Sequence, residues 1–149
     1  LSLKQFGSQE EYVTAFLGLL KKHKADMIIL AGYMKLIPAD VVRAYRNRIL
    51  NIHPALIPAF CGEGLYGLKV HEAVINYGAK VSGVTVHIVD EQYDTGPIVL
   101  QKTLKVLDTD TPETLQRKLL KIEHKIYPEA IRLFETKKPE LIGRRVFFK

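Results

Sequence analysis

The segment Asp26-Met27-Ile28-Ile29-Leu30-Ala31-Gly32 restricts the possible folds of this chain more than any other. It is apolar without alternation, and a strand that reads this way is covered on both faces. An amphipathic stretch leads into it. Ser8-Gln9-Glu10-Glu11 has the form of a capping box, and Tyr12, Val13, Phe16, Leu17, Leu19 and Leu20 then recur at helical spacing. The basic turn Lys21-Lys22-His23-Lys24 suits a helix C-terminus. Helix and strand continue to alternate. Residues 38–45 predict a short helix with Pro38 near its first turn, and residues 48–53 a second strand stopped by Pro54. A long loop over residues 54–67 carries Pro58, Gly62, Gly64 and Gly67, and a helix over residues 68–77 ends at Gly78. Residues 81–90 and 98–107 predict two more strands around a turn at residues 91–97. Thr111 and Pro112 open a long helix that Pro128 is expected to break or kink. This order predicts a three-layer α/β domain with a largely parallel sheet and a mixed edge. Because the chain opens on a helix feeding a buried strand, without an initiating methionine, a leading βαβ portion is expected to be missing. Residues 1–149 would then form one N-terminally truncated domain, with residues 143–149 as its natural terminus.

Composition narrows the class of function. A chain of 149 residues, 47% apolar and 26% charged, can build a real core and does not read as disordered. No apolar run approaches the ~18–20 residues of a membrane span, so no membrane role is expected. Cys61 is the sole cysteine, which rules out an internal disulfide and makes the cytoplasm the default expectation. The net charge of +6 comes from Lys and Arg interleaved with Glu and Asp, dense only in residues 143–149. A solvated basic surface accounts for it better than nucleic-acid binding does.

Asn51 and His53 lie two apart on an apolar strand, so their side chains leave the same face. Pro54 marks the strand end, and ligands of open α/β sheets bind outside such ends. Two readings fit: a strand end capped by polar side chains, or an imidazole for acid–base work beside an amide that donates to an oxyanion. Asp94, in Tyr93-Asp94-Thr95-Gly96-Pro97, is equally open. It can serve turn chemistry, or it can face His53 and raise the imidazole pKa. His71, His87 and His124 match no metal motif, so no metal is expected and surface or supporting roles suit them better. Cys61 has no nucleophile signature, and Gly62, Gly64 and Gly67 read as flexibility rather than a phosphate loop.

Taken as a pair, Leu50-Asn51-Ile52-His53-Pro54-Ala55-Leu56-Ile57-Pro58 and Asp90-Glu91-Gln92-Tyr93-Asp94-Thr95-Gly96-Pro97 resemble the folate-dependent formyltransferase family. Supporting likeness comes from Leu30 to Ile37, Lys69-Val70-His71-Glu72-Ala73, Gly83-Val84-Thr85-Val86-His87 and Glu123-His124-Lys125-Ile126-Tyr127-Pro128. The resemblance implies a Rossmann-like formyltransferase fold lacking its first βαβ portion. It implies 10-formyltetrahydrofolate as co-substrate and glycinamide ribonucleotide as acceptor, in purine biosynthesis, by a monomer or homodimer. Asn51 and protonated His53 would stabilise an oxyanion, with Asp94 holding His53 charged. Met34, Lys35, Leu36 and Ile37, with Asp90, Glu91, Gln92, Tyr93 and Asp94, match the folate pocket. Asn51 reaches the same ligand. Glu123, with Leu120 and Lys121, matches the nucleotide side. The family's Gly-rich phosphate loop has no counterpart, Gln9 stands where a basic residue is common, and Leu120 is apolar where a polar contact is common. A formyltetrahydrofolate deformylase, or a non-catalytic folate-binding fragment, is the alternative.

Overall fold

A computed structural model describes residues 3–149. After a 3₁₀ turn at Leu3–Gln5, helix α1 (Gln9–Lys22) leads into strand β1 (Ile28–Leu30). Helix α2 (Ala39–Ala44), strand β2 (Ile49–His53), helix α3 (Leu68–Tyr77) and strands β3 (Val81–Ile88) and β4 (Ile98–Lys105) follow. Helix α4 (Pro112–Thr136) and a hairpin of β5 (Pro139–Ile142) and β6 (Arg145–Phe148) complete the order. Local chemistry sets these limits. The Ser8 hydroxyl accepts from the Glu11 amide, while Glu11 reaches back to the Gly7 amide rather than to Ser8. Thr111 and Thr114 exchange reciprocal bonds at the start of α4, and Gly78 takes the left-handed cap of α3.

The sheet runs β1-β2-β3-β4-β6-β5. β1 is parallel to β2, β3 is antiparallel to both its neighbours, β4 is parallel to β6, and β5 is antiparallel to β6. Four strands (β1, β2, β4 and β6) therefore share one direction, the largely parallel α/β sheet expected, but antiparallel β3 sits inside the sheet and not only at its edge. Its two faces are packed separately. Ile49 joins Ile28, Leu30, Val41, Val42 and Val13 under α1 and α2. Leu50, one residue on, turns to Val84, Val86 and Ile88 and to Leu115, Leu119 and Ile126 of α4. The alternation along β2 thus feeds two cores, and burying Leu115 or Leu119 completely stabilises the layer by about 2 kcal/mol each.

Three expectations change. The break expected at Pro128 does not occur, since α4 runs as one helix from Pro112 to Thr136. Tyr127 and Ala130 are buried on either side of that proline, and this packing outweighs the amide bond proline cannot make. β1 is shorter than its apolar run, and Ile29 is 37% exposed. Among the described residues β1 has β2 as its one neighbour, and α3 and α4 lie over β2 to β4, so Ile29 lacks the expected cover. Residues 139–148 form a hairpin where a basic tail was expected. Leu141 and Val146 join the α4-side core, and Phe148 meets Phe134 edge-to-face at 5.4 Å between centroids. No described helix is long and apolar enough to cross a membrane.

A candidate active site at the strand ends

β2 delivers Asn51 and His53 to one end of the sheet, on the face they share with Ile49. Beyond His53 the chain is pinned by Thr85. Its hydroxyl donates to the Ala55 carbonyl at 2.7 Å and accepts from the Ile57 amide at 3.1 Å and the Gln101 amide at 3.0 Å. Tyr127 ties the end of β1 to β2, its hydroxyl lying 2.7 Å from the Leu30 carbonyl and 3.0 Å from that of Leu50. Both anchors are buried, so the rim is set by satisfied polar groups rather than by loose loops.

His53 is 4% exposed. Its Nε2 donates to the Phe60 carbonyl at 2.8 Å, and its Nδ1 lies 3.6 Å from Asp94 Oδ2. Asp94 Oδ2 also accepts from the Gly62 amide at 3.0 Å, and Oδ1 lies 3.5 Å from His87 Nε2. Asn51 Nδ2 reaches the same His87 nitrogen at 3.2 Å, while His87 Nδ1 donates to the Ile88 carbonyl at 3.0 Å. The structure thus brings Asn51, His53 and Asp94 into one cluster and adds His87, which the sequence placed in a supporting role.

Charge in this cluster is finely balanced. Burial pushes the His53 imidazole below its ordinary pKa, and the opposing pull of Asp94 does not restore it. That departs from the protonated His53 implied by resemblance, because a nearly sealed ring held 3.6 Å from its carboxylate gains too little to offset desolvation. Burial also works to raise the Asp94 carboxyl. The bond to His87, the charge on His53 and the Gly62 amide outweigh it, and Asp94 stays below the usual carboxylate range. Burial pushes Glu123 up, against a smaller pull from His124, and pushes the Cys61 thiol up with help from Asp94.

Asn51, His53, His87, Asp94 and Glu123 face a cavity of roughly 880 Å³, within the ~300–1,000 Å³ of ordinary small-molecule sites. One wall is the stretch after β1, where Met34, Lys35, Leu36 and Ile37 all line the space. Gln92, Tyr93 and Asp94 line it from the turn, and Leu120 and Glu123 from α4. Asp90, Glu91 and Lys121 do not. Asp90 accepts from the Gln92 amide and the Thr95 hydroxyl and so braces the turn. Glu91 pairs with Arg43 on the outside at 3.3 Å, and Lys121 is exposed beyond the rim. Gln116 and Arg117 line the α4 side without having been singled out, and Gly62, Gly64 and Gly67, read from the sequence as flexibility, line the cavity from the loop before α3. Those three glycines have φ of 103°, 82° and 56°, backbone that favours glycine, so they shape the wall.

His71 was also missed as a lining residue. It is 2% exposed, its Nδ1 has no hydrogen-bond partner, and burial followed by the nearby His53 pushes it down to about 4. A histidine with a lowered folded pKa binds fewer protons folded than unfolded. Its contribution is therefore constant above its ordinary 6.5 and is lost as pH falls from 6.5 towards about 4. His53 adds in the same direction. Urea unfolding should show stability falling by about 2 kcal/mol or more between about pH 7 and about pH 5. His71→Gln should flatten much of that slope, and an unchanged slope would contradict the assignment.

The sequence profile described as Formyl transferase matches residues 1–131. Over 113 residues the chain is 54% identical to the chloroplastic phosphoribosylglycinamide formyltransferase of Arabidopsis thaliana, covering 76% of this chain and 39% of that protein. Over 129 residues it is 41% identical to the phosphoribosylglycinamide formyltransferase of Bacillus subtilis strain 168, covering 87% and 64%. Its fold superposes on glycinamide ribonucleotide transformylase 1 from Symbiobacterium toebii with a TM-score of 0.90 and 42% identity, covering 99% of this chain and 68% of that one. The chain spans less than two thirds of the length of the Arabidopsis and Bacillus relatives. With the sheet, the strand-end cluster and the profile in agreement, the chain belongs to the formyl transferase family.

Proposed function

We propose that this chain is the larger part of a catalytic domain that transfers a formyl group from 10-formyltetrahydrofolate to the amine of glycinamide ribonucleotide, in purine biosynthesis. The observation that carries it is the approach of Asp94 to His53 at 3.6 Å beside Asn51, on the floor of a ligand-sized cavity. The co-substrate fits what is there. Met34 and Leu36 are 61% and 42% exposed on the cavity wall, apolar surface suited to a flat heteroaromatic ring, and Gln92 and Tyr93 stand beside it. Folate supplies the formyl carbon, which gains a bond to the acceptor nitrogen as its bond to the folate nitrogen breaks, one proton passing from amine to departing nitrogen. Asn51 and His53 are the donors for the oxygen that becomes negative, His53 giving up its Nε2 bond to the Phe60 carbonyl to reach it. Because burial keeps His53 short of its ordinary proton affinity, nearby negative charge raises that affinity most when the oxyanion develops. Asp94 supports that charge and helps pass the amine's proton on to the departing nitrogen. Glu123, near Leu120, is the contact for the acceptor's sugar.

The same reading makes residues 1–149 a single domain preceded in the whole protein by a phosphate-binding portion. It expects a monomer or homodimer in the cytoplasm, acting on small molecules without nucleic acid or membrane. The decisive assay follows tetrahydrofolate formation with and without glycinamide ribonucleotide. Turnover that depends on the ribonucleotide supports the proposal. Formate release in its absence would assign the hydrolytic branch instead, and folate binding without either would leave a binding module.

A further inference from the structure

The turn carrying Asp94 is an unusual piece of backbone. Asp94 itself has φ of 55°, a left-handed conformation that costs a non-glycine residue about 1 kcal/mol or more. Such a residue persists only where its surroundings over-determine it. Asp90 braces the turn from within, and the Ile88 amide donates to the Pro97 carbonyl at 2.8 Å at its base. Arg43 holds Glu91 from α2. The fourth restraint comes from the far end of the chain. Arg144 Nη2 donates to the Thr95 carbonyl at 2.5 Å, one residue after Asp94.

Arg144 is well placed to exert this hold. It occupies the tip of the β5–β6 hairpin, where Ile142 pairs with Arg145 around Gly143 and Arg144. Gly143 has φ of 61°, the feature a two-residue hairpin turn demands at its first position. The hairpin is not a free tail. Leu141 and Val146 enter the core, Phe148 meets Phe134, and Arg145 pairs in register with Ile98, the residue that opens β4 just beyond the turn. All of this lies after residue 131, where the match to the family profile stops.

We propose that Arg144 is a positioning residue for Asp94: by holding the Thr95 carbonyl, it ties the catalytic turn to a hairpin anchored in the core. The kinetic consequence rests on the formyl-transfer reading, but the geometric one does not. Asp94 Oδ2 accepts from the Gly62 amide, which belongs to a different loop, so that amide reports where the carboxylate sits.

The test compares the ¹H–¹⁵N resonance of Gly62 in the wild-type chain, Arg144→Ala, Arg144→Lys, Asp94→Asn and Lys149→Ala. Lys149 pairs with Glu140 across the same hairpin and is not part of the Arg144–Thr95 contact, so its loss controls for charge. Arg144→Ala should move the Gly62 signal toward its position in Asp94→Asn, Arg144→Lys should recover part of the shift, and Lys149→Ala should leave it in place. In formyl transfer, Arg144→Ala should lower kcat ~3–10-fold with little change in the folate KM, as expected for one solvent-exposed charge-assisted bond. A Gly62 signal unmoved in a folded Arg144→Ala chain overturns the proposal, and so does an equal shift in Lys149→Ala. If Gly62 responds as described while no formyl transfer is found even in the wild type, the positioning role stands and the proposed function fails.

Discussion

His53→Ala is expected to lower formyl transfer by ~10²–10³-fold, the usual loss when a donor to a developing oxyanion is removed from a preorganised site. Folate affinity should stay within about tenfold, because the cavity wall formed by Met34 to Ile37 and the Gln92–Tyr93 edge is untouched. Asp94→Asn should be comparably slow, with a further signature. Asp94 raises the proton affinity of a His53 that burial has lowered, so its neutralisation should drop the His53 pKa again. Activity that depends on a proton at His53 falls as pH rises through that pKa, and in Asp94→Asn the fall should begin at lower pH. The pH profile of kcat/KM and an NMR titration of His53 check the two halves separately. Wild-type-like rates in either variant would remove the proposed chemistry, and an unmoved His53 titration would remove the coupling.

The second large effect is expected at Gly96. A Cβ built there would lie 1.7 Å from the Ile88 carbonyl oxygen and 2.8 Å from its carbon, both of them backbone of a buried strand. Nothing flexible can move aside. Gly96→Ala must spread the turn from β3 and break the bond between Ile88 and Pro97, a destabilisation of about 2–4 kcal/mol. Thermal unfolding should show Tm falling by roughly 5–15 °C. Because Gly96 is two residues from Asp94, turnover should fall even at temperatures where the variant is folded. A variant with wild-type Tm would contradict this account of the turn. Gly96 owes its identity to space, whereas Gly62, Gly64 and Gly67 owe theirs to φ.

What the sequence reveals by itself follows from where its signals are local. Caps and breakers such as Ser8, Pro54, Gly78 and Thr111 act within a turn or two of themselves, and the elements they bound were expected close to where they stand. Asn51 and His53 could be placed on one face because strand periodicity fixes it. Contacts across the sheet could not be fixed by spacing, and only the family resemblance implied that Asp94 supports His53. That Asp94 meets His53, or that His87 stands between Asn51 and Asp94, depends on the β2–β3 register, which pairs Asn51 with His87. Pro128 misled because helix propensity is a local cost, while the burial of Tyr127 and Ala130 that overrides it is tertiary. The hairpin after α4 was masked by its charge. Val146, Phe147 and Phe148 carry the strand signal, yet the surrounding arginines and lysines drew the eye to solubility. Spacing did not show that His71 lines the cavity, since an imidazole on an amphipathic helix reads the same whether it looks at water or at a cavity.

Helix α4 has a double duty whose consequence reaches beyond any one variant. Leu115, Leu119, Ile126 and Ala130 hold the domain together, while Gln116, Arg117, Leu120 and Glu123, interleaved with them, touch whatever enters the hollow. Consecutive helical residues are ~100° apart, so neither set can drift without turning the other. Ligand preference and thermal resistance are therefore mechanically geared on this element. A designer who retunes one by altering the helix's roll should expect to find the other retuned as well.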